Sequence, residues 1–194
     1  MKIATTPWLN ALILSTALTA SLPTYSSVAQ GNQSDWRHVD NWQSWQQVGQ
    51  AQLSILFFDI YQSRLLTPSG IYQQQSFDVT PHPLALTIEY QRNISQEQLL
   101  DATFEQWLKL GFAKQDAKRW IDQLSAIFPD IKSGQTLTYV TNGSTGKFVY
   151  SPRPSQSRHI GSISDESLND AFLSIWLSPK SEYADLRQQL IGMR

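Results

Sequence analysis

The apolar residues of this chain change their spacing near Ser95, and that change constrains the fold more than any other feature of the sequence. In the first half they recur at every second position. Leu53, Ile55 and Phe57 alternate with Gln52, Ser54 and Leu56; Ile60, Tyr61, Leu65 and Leu66 follow; Leu84, Leu86, Ile88 and Tyr90 alternate again. This is the period of strands with one buried face. Val48 to Leu66 reads as two antiparallel strands with a tight bend near Leu56 to Phe58. Gly70 to Phe77 reads as a further short strand, and Pro81-His82-Pro83 ends the connection to the next.

From Ser95 onward the spacing becomes three and four, which places apolar residues on one face of a helix. Leu100, Phe104, Trp107 and Leu108 form such a stripe. Ser95 followed by Gln98 has the spacing of a capping box, and Gly111 closes the helix. A second helix is expected from Gln115 to Phe128, with Ala117, Trp120, Leu124, Ile127 and Phe128 inward and Pro129 as its stop. A third is expected to begin at Ser164, with Asp165 and Glu166 in its first turn and Leu168, Ala171, Phe172, Ile175 and Trp176 on one face. A fourth spans Ser181 to Leu190. Between the second and third, Gln135–Thr141 and Lys147–Ser151 flank Asn142-Gly143-Ser144-Thr145-Gly146. An Asn-Gly pair supplies the positive φ angles of a hairpin turn. Strands, then helices, a hairpin and more helices imply an α+β fold, an antiparallel sheet with a layer of helices packed on it.

The segment before these elements reads differently. Lys2 precedes a mostly apolar run, Leu9 to Ala20, which is too short to span a bilayer. Pro23 breaks it, and Ser27-Val28-Ala29 offers small residues at the positions a signal peptidase reads. Residues 1–29 are therefore expected to be a signal peptide cleaved after Ala29, with export to the periplasm. Residues 30–47 are Trp-rich (Trp36, Trp42, Trp45), and residues 48–194 hold the domain. The tryptophans suit either a flap over one edge of a core or a platform for a sugar.

Composition removes several functions. The chain has no cysteine, so it has no disulfide, thiolate metal site, cysteine nucleophile or lipid-modified cysteine. Its net charge of -1 gives no broad basic surface for nucleic acid. His38, His82 and His159 lack the spacing of metal ligands. No nucleophile elbow, phosphate loop or dinucleotide fingerprint is present, and no cofactor is expected. The polar residues worth weighing lie at strand ends: Tyr61 and Arg64, then Tyr90 and Arg92. An arginine fork beside a tyrosine hydroxyl suits a carboxylate. Equally, both arginines could pair with internal acids or reach solvent along their stems.

The order of segments resembles the bacterial, exported branch of the chalcone isomerase-like family. The residues that carry this are Val48-Gly49-Gln50-Ala51-Gln52-Leu53, Asp59-Ile60-Tyr61-Gln62-Ser63-Arg64-Leu65, Leu86-Thr87-Ile88-Glu89-Tyr90-Gln91-Arg92-Asn93-Ile94, Phe128-Pro129-Asp130-Ile131-Lys132-Ser133-Gly134, Gly161-Ser162-Ile163 and Ala171-Phe172-Leu173-Ser174-Ile175-Trp176-Leu177-Ser178-Pro179. The resemblance implies a ligand cleft between sheet and helices. Some members close chalcones to flavanones, and others bind fatty acids without known catalysis. An arginine on the early strand and a hydroxyl on the next serve both activities.

Here the arginine position is matched by Gln52 and the hydroxyl by Tyr61, as in the fatty-acid binders. The helix after Ser95 brings Leu99 and Gln106 to the cleft, without the tyrosine of the plant enzymes. Glutamine donates hydrogen bonds but carries no charge, and the loss of a donor to a developing oxyanion typically costs a factor of about 10² to 10³ in rate. Arg64 or Arg92 is a possible substitute for the missing cation. The expected ligand contacts are thus Gln52, Tyr61, Arg64, Tyr90, Arg92 and Gln106. The sequence favours a non-catalytic binder of a small apolar or fatty-acid-like ligand. An isomerase using the same cleft and a structural or assembly protein with a filled cleft stand as alternatives.

Overall fold

The computed structural model describes residues 39–75 and 78–193. The expected signal peptide, the segment up to His38 with Trp36, and Ser76-Phe77 lie outside the described residues.

Six strands form one antiparallel sheet in sequential order: β1 (Gln46–Ile55), β2 (Phe58–Thr67), β3 (Leu84–Tyr90), β4 (Thr136–Thr141), β5 (Gly146–Arg153) and β6 (Gln156–Ile163). Among the described residues four α-helices accompany it: α1 (Gln96–Leu110), α2 (Lys114–Ser125), α3 (Glu166–Leu177) and α4 (Ala184–Leu190). The fold is the α+β arrangement expected from the spacing. The pair α1–α2 is an insertion between β3 and β4, and an Ile94–Ile131 bridge closes its base.

Local chemistry explains most boundaries. At α1 the Ser95 hydroxyl accepts from the Gln98 amide, and the Gln98 side chain accepts from the Ser95 amide, so two otherwise unpaired donors are satisfied together. Gly111 ends the helix at φ 91°, a conformation that costs glycine little. Helix α2 stops at Ser125, earlier than expected, because Pro129 cannot continue it and the turn before it is already irregular. In α3 Asp165 is the cap rather than a first-turn residue; its carboxylate accepts from the amides of Ser167 and Leu168.

Two expectations fail. Residues 71–75 carry no strand pairing, so the extended segment proposed from Gly70 to Phe77 is a loop where it is described. Strand β6 was not expected. Its sequence, Gln-Ser-Arg-His-Ile-Gly-Ser-Ile, lies at the edge of the sheet and is largely exposed, so no apolar alternation marks it.

The core lies between the sheet and the helices. Trp107 of α1 is fully buried and donates its indole N–H to the Ala171 carbonyl of α3 at 2.7 Å. Phe172 of α3 meets Tyr139 of β4 and Phe148 of β5 edge-on at 4.9 and 5.1 Å. Beneath α3 the buried amide of Asn169 accepts from the Tyr139 hydroxyl at 2.8 Å and donates to the Gly143 carbonyl at 3.0 Å, fixing the β4–β5 turn to the helix. On the other face of the sheet, Trp42 and Trp45 pack with Leu66 over Val39, Ala85 and Val140, which is the flap arrangement. Helix α4 lies on β1, where a β-carbon on Gly49 would collide with the Gln189 carbonyl oxygen and sit 2.5 Å from that of Leu190.

Candidate functional site

A cavity of about 290 Å³ opens between sheet and helices, toward the end of the sheet where β1 turns into β2. Its floor is Leu53, Ile60, Tyr61, Ile88, Tyr90 and Leu137; its roof is Leu99, Ala102, Thr103 and Gln106 of α1 with Phe172, Ile175 and Trp176 of α3. The lining is almost wholly apolar and, among the described residues, includes no Lys, Arg, Asp or Glu.

A bulge shapes the floor. Leu53 pairs with Tyr61 and Ser54 with Asp59, which leaves Ile60 unmatched. An extra residue in one strand lets two neighbours share a face. Ile60 and Tyr61 therefore both line the cavity, although successive strand residues normally point apart.

Two of the three phenols that line it, Tyr61 and Tyr90, stand on the floor; the third is Tyr183. Tyr61 and Tyr90 are cross-strand partners, and their rings meet edge to face at 5.9 Å. The indole N–H of Trp176 donates to the Tyr61 hydroxyl at 2.9 Å. That bond uses a lone pair and leaves the phenolic proton available. The Tyr90 hydroxyl has no hydrogen-bond partner among the described residues. It is not sealed in the protein either: among the described residues only the Trp120 indole nitrogen is both buried and unpartnered. Burial pushes both phenols well above their ordinary value; the Trp176 bond opposes this in part at Tyr61. Both are therefore neutral O–H donors at any physiological pH, and neither is suited to act as a phenolate base.

Thr103 adds little, because its hydroxyl donates back to the Leu99 carbonyl within α1. Gln106 stands at the rim. Its amide nitrogen donates to Glu182, which also binds Lys109, and these two contacts hold the Glu182 carboxyl below its ordinary value.

Of the six residues singled out in the sequence, the structure brings Tyr61, Tyr90 and Gln106 to the cavity, together with Leu99. The other three lie elsewhere. Gln52 is exposed and exchanges hydrogen bonds with the side chain of Gln91, its amide donating at 2.7 Å. The residue facing Tyr61 across β1 is Leu53. Arg64 is exposed on the outer face of the sheet, in a groove near Trp42 and Trp45. Arg92 is exposed with its guanidinium over the Phe58 ring at 4.9 Å. The expectation that one of these arginines replaces the missing cation is thereby overturned. Trp176 was missed as a site residue. Its signal was present, since a buried indole N–H needs an acceptor and Trp176 follows Phe172 by one helical turn.

A family model described as chalcone isomerase-like matches residues 35–192, which is most of the chain. The chain belongs to the chalcone isomerase-like family. It is also similar to an uncharacterised protein of Haemophilus influenzae, 27% identical over 148 residues that cover 76% of this chain and 68% of that one. In this family member the cavity described above lies between the sheet and the helices. Its walls hold the strand hydroxyl, Tyr61, and set a leucine across from it.

Proposed function

We propose that this family member is an exported, non-catalytic carrier of a small apolar or fatty-acid-like molecule. The ligand's apolar part fills the sheet–helix cavity, and its oxygen accepts from Tyr61 and Tyr90, with Gln106 at the rim. The observation that carries this is a cavity with apolar walls and, on its floor, two O–H donors lacking acceptors among the described residues. Unpaired donors in apolar surroundings favour a ligand that brings an acceptor. The volume, about 290 Å³, sits at the lower end of the usual range for ligand cavities. Export rests on Lys2, the apolar run Leu9 to Ala20 and Ser27-Val28-Ala29.

Catalysis of the isomerase kind fits less well. It asks for a cation where negative charge develops on oxygen, and no cation among the described residues lines the cavity. The test is to purify the protein from the periplasm, denature it, and identify released small molecules by mass spectrometry. A stoichiometric amphiphile, lost in a Tyr61→Phe/Tyr90→Phe double variant, is the expected result. Chalcone turnover abolished by Tyr61→Phe would overturn the carrier reading in favour of the isomerase.

A further inference from the structure

The β1–β2 turn ends in four consecutive apolar residues. Ile55, Leu56, Phe57 and Phe58 are 49%, 86%, 97% and 56% exposed. They make up more than half of the large apolar residues exposed among those described; the others, Ile71, Leu108 and Met193, are not neighbours in sequence. Leu56 adopts φ 58°, and no other non-glycine residue described has a positive φ. Glycine or asparagine would hold that conformation more easily. A leucine here spends backbone energy to keep a bulky apolar side chain in solvent, which points to a use for the side chain.

We propose that this tip docks shallowly into a lipid bilayer, and that the cavity takes up its ligand from there. The loading part rests on the carrier reading above, as does the second of the arguments below; the tip's exposure, continuity and length do not. Three observations favour a bilayer as the occupant. The tip is continuous with the cavity, because Ile55 and Ile60 are also wall residues. An apolar ligand of this cavity partitions into lipid, so the tip and the ligand share one solvent. The tip's length also fits. Behind it the Ser54 hydroxyl donates to the Asp59 carboxylate across the strands at 2.6 Å, and the Arg92 guanidinium covers Phe58. These polar groups limit entry to two residues per strand, or about 7 Å at ~3.4 Å per residue. Interfacial segments bury to a depth of about 5–10 Å. A second copy of the chain fits less well, since a stable protein interface takes about 20–30 residues a side.

The absence of cysteine allows a clean test. Phe57→Cys carries an environment-sensitive NBD dye at the tip. Ser144→Cys, in the β4–β5 turn at the opposite end of the sheet, is the control. Vesicles of phosphatidylcholine with phosphatidylglycerol are added to the full chain. The expected result is a blue shift and brightening at position 57 alone, with unlabelled protein floating with the vesicles. The Leu56→Asn/Phe57→Ser variant should float at least tenfold less. It should keep its far-UV spectrum and its affinity for a dansyl fatty acid in solution. No response at position 57, or equal flotation of the variant, overturns the docking. So does a concentration-dependent dimer that this variant abolishes in the absence of vesicles. A protein that floats yet binds no probe in solution retains the docking and loses the carrier reading.

Discussion

The indole nitrogen of Trp176, in the cavity roof, and the hydroxyl of Tyr61, in its floor, lie 2.9 Å apart, the first donating to the second. This bond ties helix α3 to strand β2 and orients the phenol so that its own proton is free. Tyr61→Phe leaves the indole without a partner and should cost about 1–3 kcal/mol. Trp176→Phe should cost more, through lost packing. The double variant should be less destabilised than the sum of the two by roughly 0.5–1.5 kcal/mol. Urea denaturation of the four proteins measures that coupling, and additive costs would show that the bond contributes nothing.

Alkaline pH should unfold the protein steeply. Burial raises the phenols of Tyr61, Tyr90 and Tyr139 in the folded state, while the unfolded chain titrates near 10. Above that pH the unfolded state has released protons that the folded state retains, so stability falls as pH rises. Each of the three lowers it by about 1.4 kcal/mol per pH unit until its folded-state value is passed. Urea midpoints between pH 9 and about 12, with tyrosinate absorbance followed in parallel, should show ionisation and unfolding together.

Gly49→Ala should be severely destabilising, although it adds only a methyl group. The new carbon would meet backbone carbonyls of Gln189 and Leu190, which cannot rotate away. Overpacking of this kind usually costs about 1–3 kcal/mol, and an immobile neighbour places it at the upper end. Thermal melts should show the loss, and hydrogen exchange should show it concentrated in α4 and β1.

Leu53 faces Tyr61 across the strands. Leu53→Arg should destabilise the ligand-free protein and raise affinity for ionised fatty acids by about 10–100-fold, the worth of a charge-assisted hydrogen bond of ~1.5–3 kcal/mol. The native protein, without that cation, should prefer protonated acids. Its affinity for them should fall up to about tenfold per pH unit above the ligand's own pKa. Fluorescence titration with a dansyl fatty acid at several pH values separates the two proteins.

The tip also predicts a trade between stability and docking. Leu56→Asn relieves a left-handed leucine and should stabilise the fold by about 0.5–1 kcal/mol. A rise in the urea midpoint with weaker vesicle flotation is the expected pair of results.

Most of the framework was legible because its punctuation is chemical. Ser95 with Gln98, Gly111, Pro129 and Asn142-Gly143 each mark a boundary by a stated backbone requirement. Strand β6 left no such mark, since an exposed edge strand needs no apolar period. The site was half legible for a related reason. Tyr61 and Tyr90 could be named as strand residues near a cleft. Which neighbours share their face depends on the unmatched Ile60, and a one-residue slip in register exchanges the faces of a strand. Gln52 and Leu53 differ by that single step. One was named in the sequence, and the other meets Tyr61.

The close approach of α4 to Gly49 has a consequence for biogenesis. The first strand of the sheet is completed by its last helix. At about 5–20 residues per second, the two leave a ribosome roughly 7–28 s apart. Throughout that interval the nascent chain carries β1 without the helix that covers its face. That face of β1 is covered only when the final helix reaches Gly49.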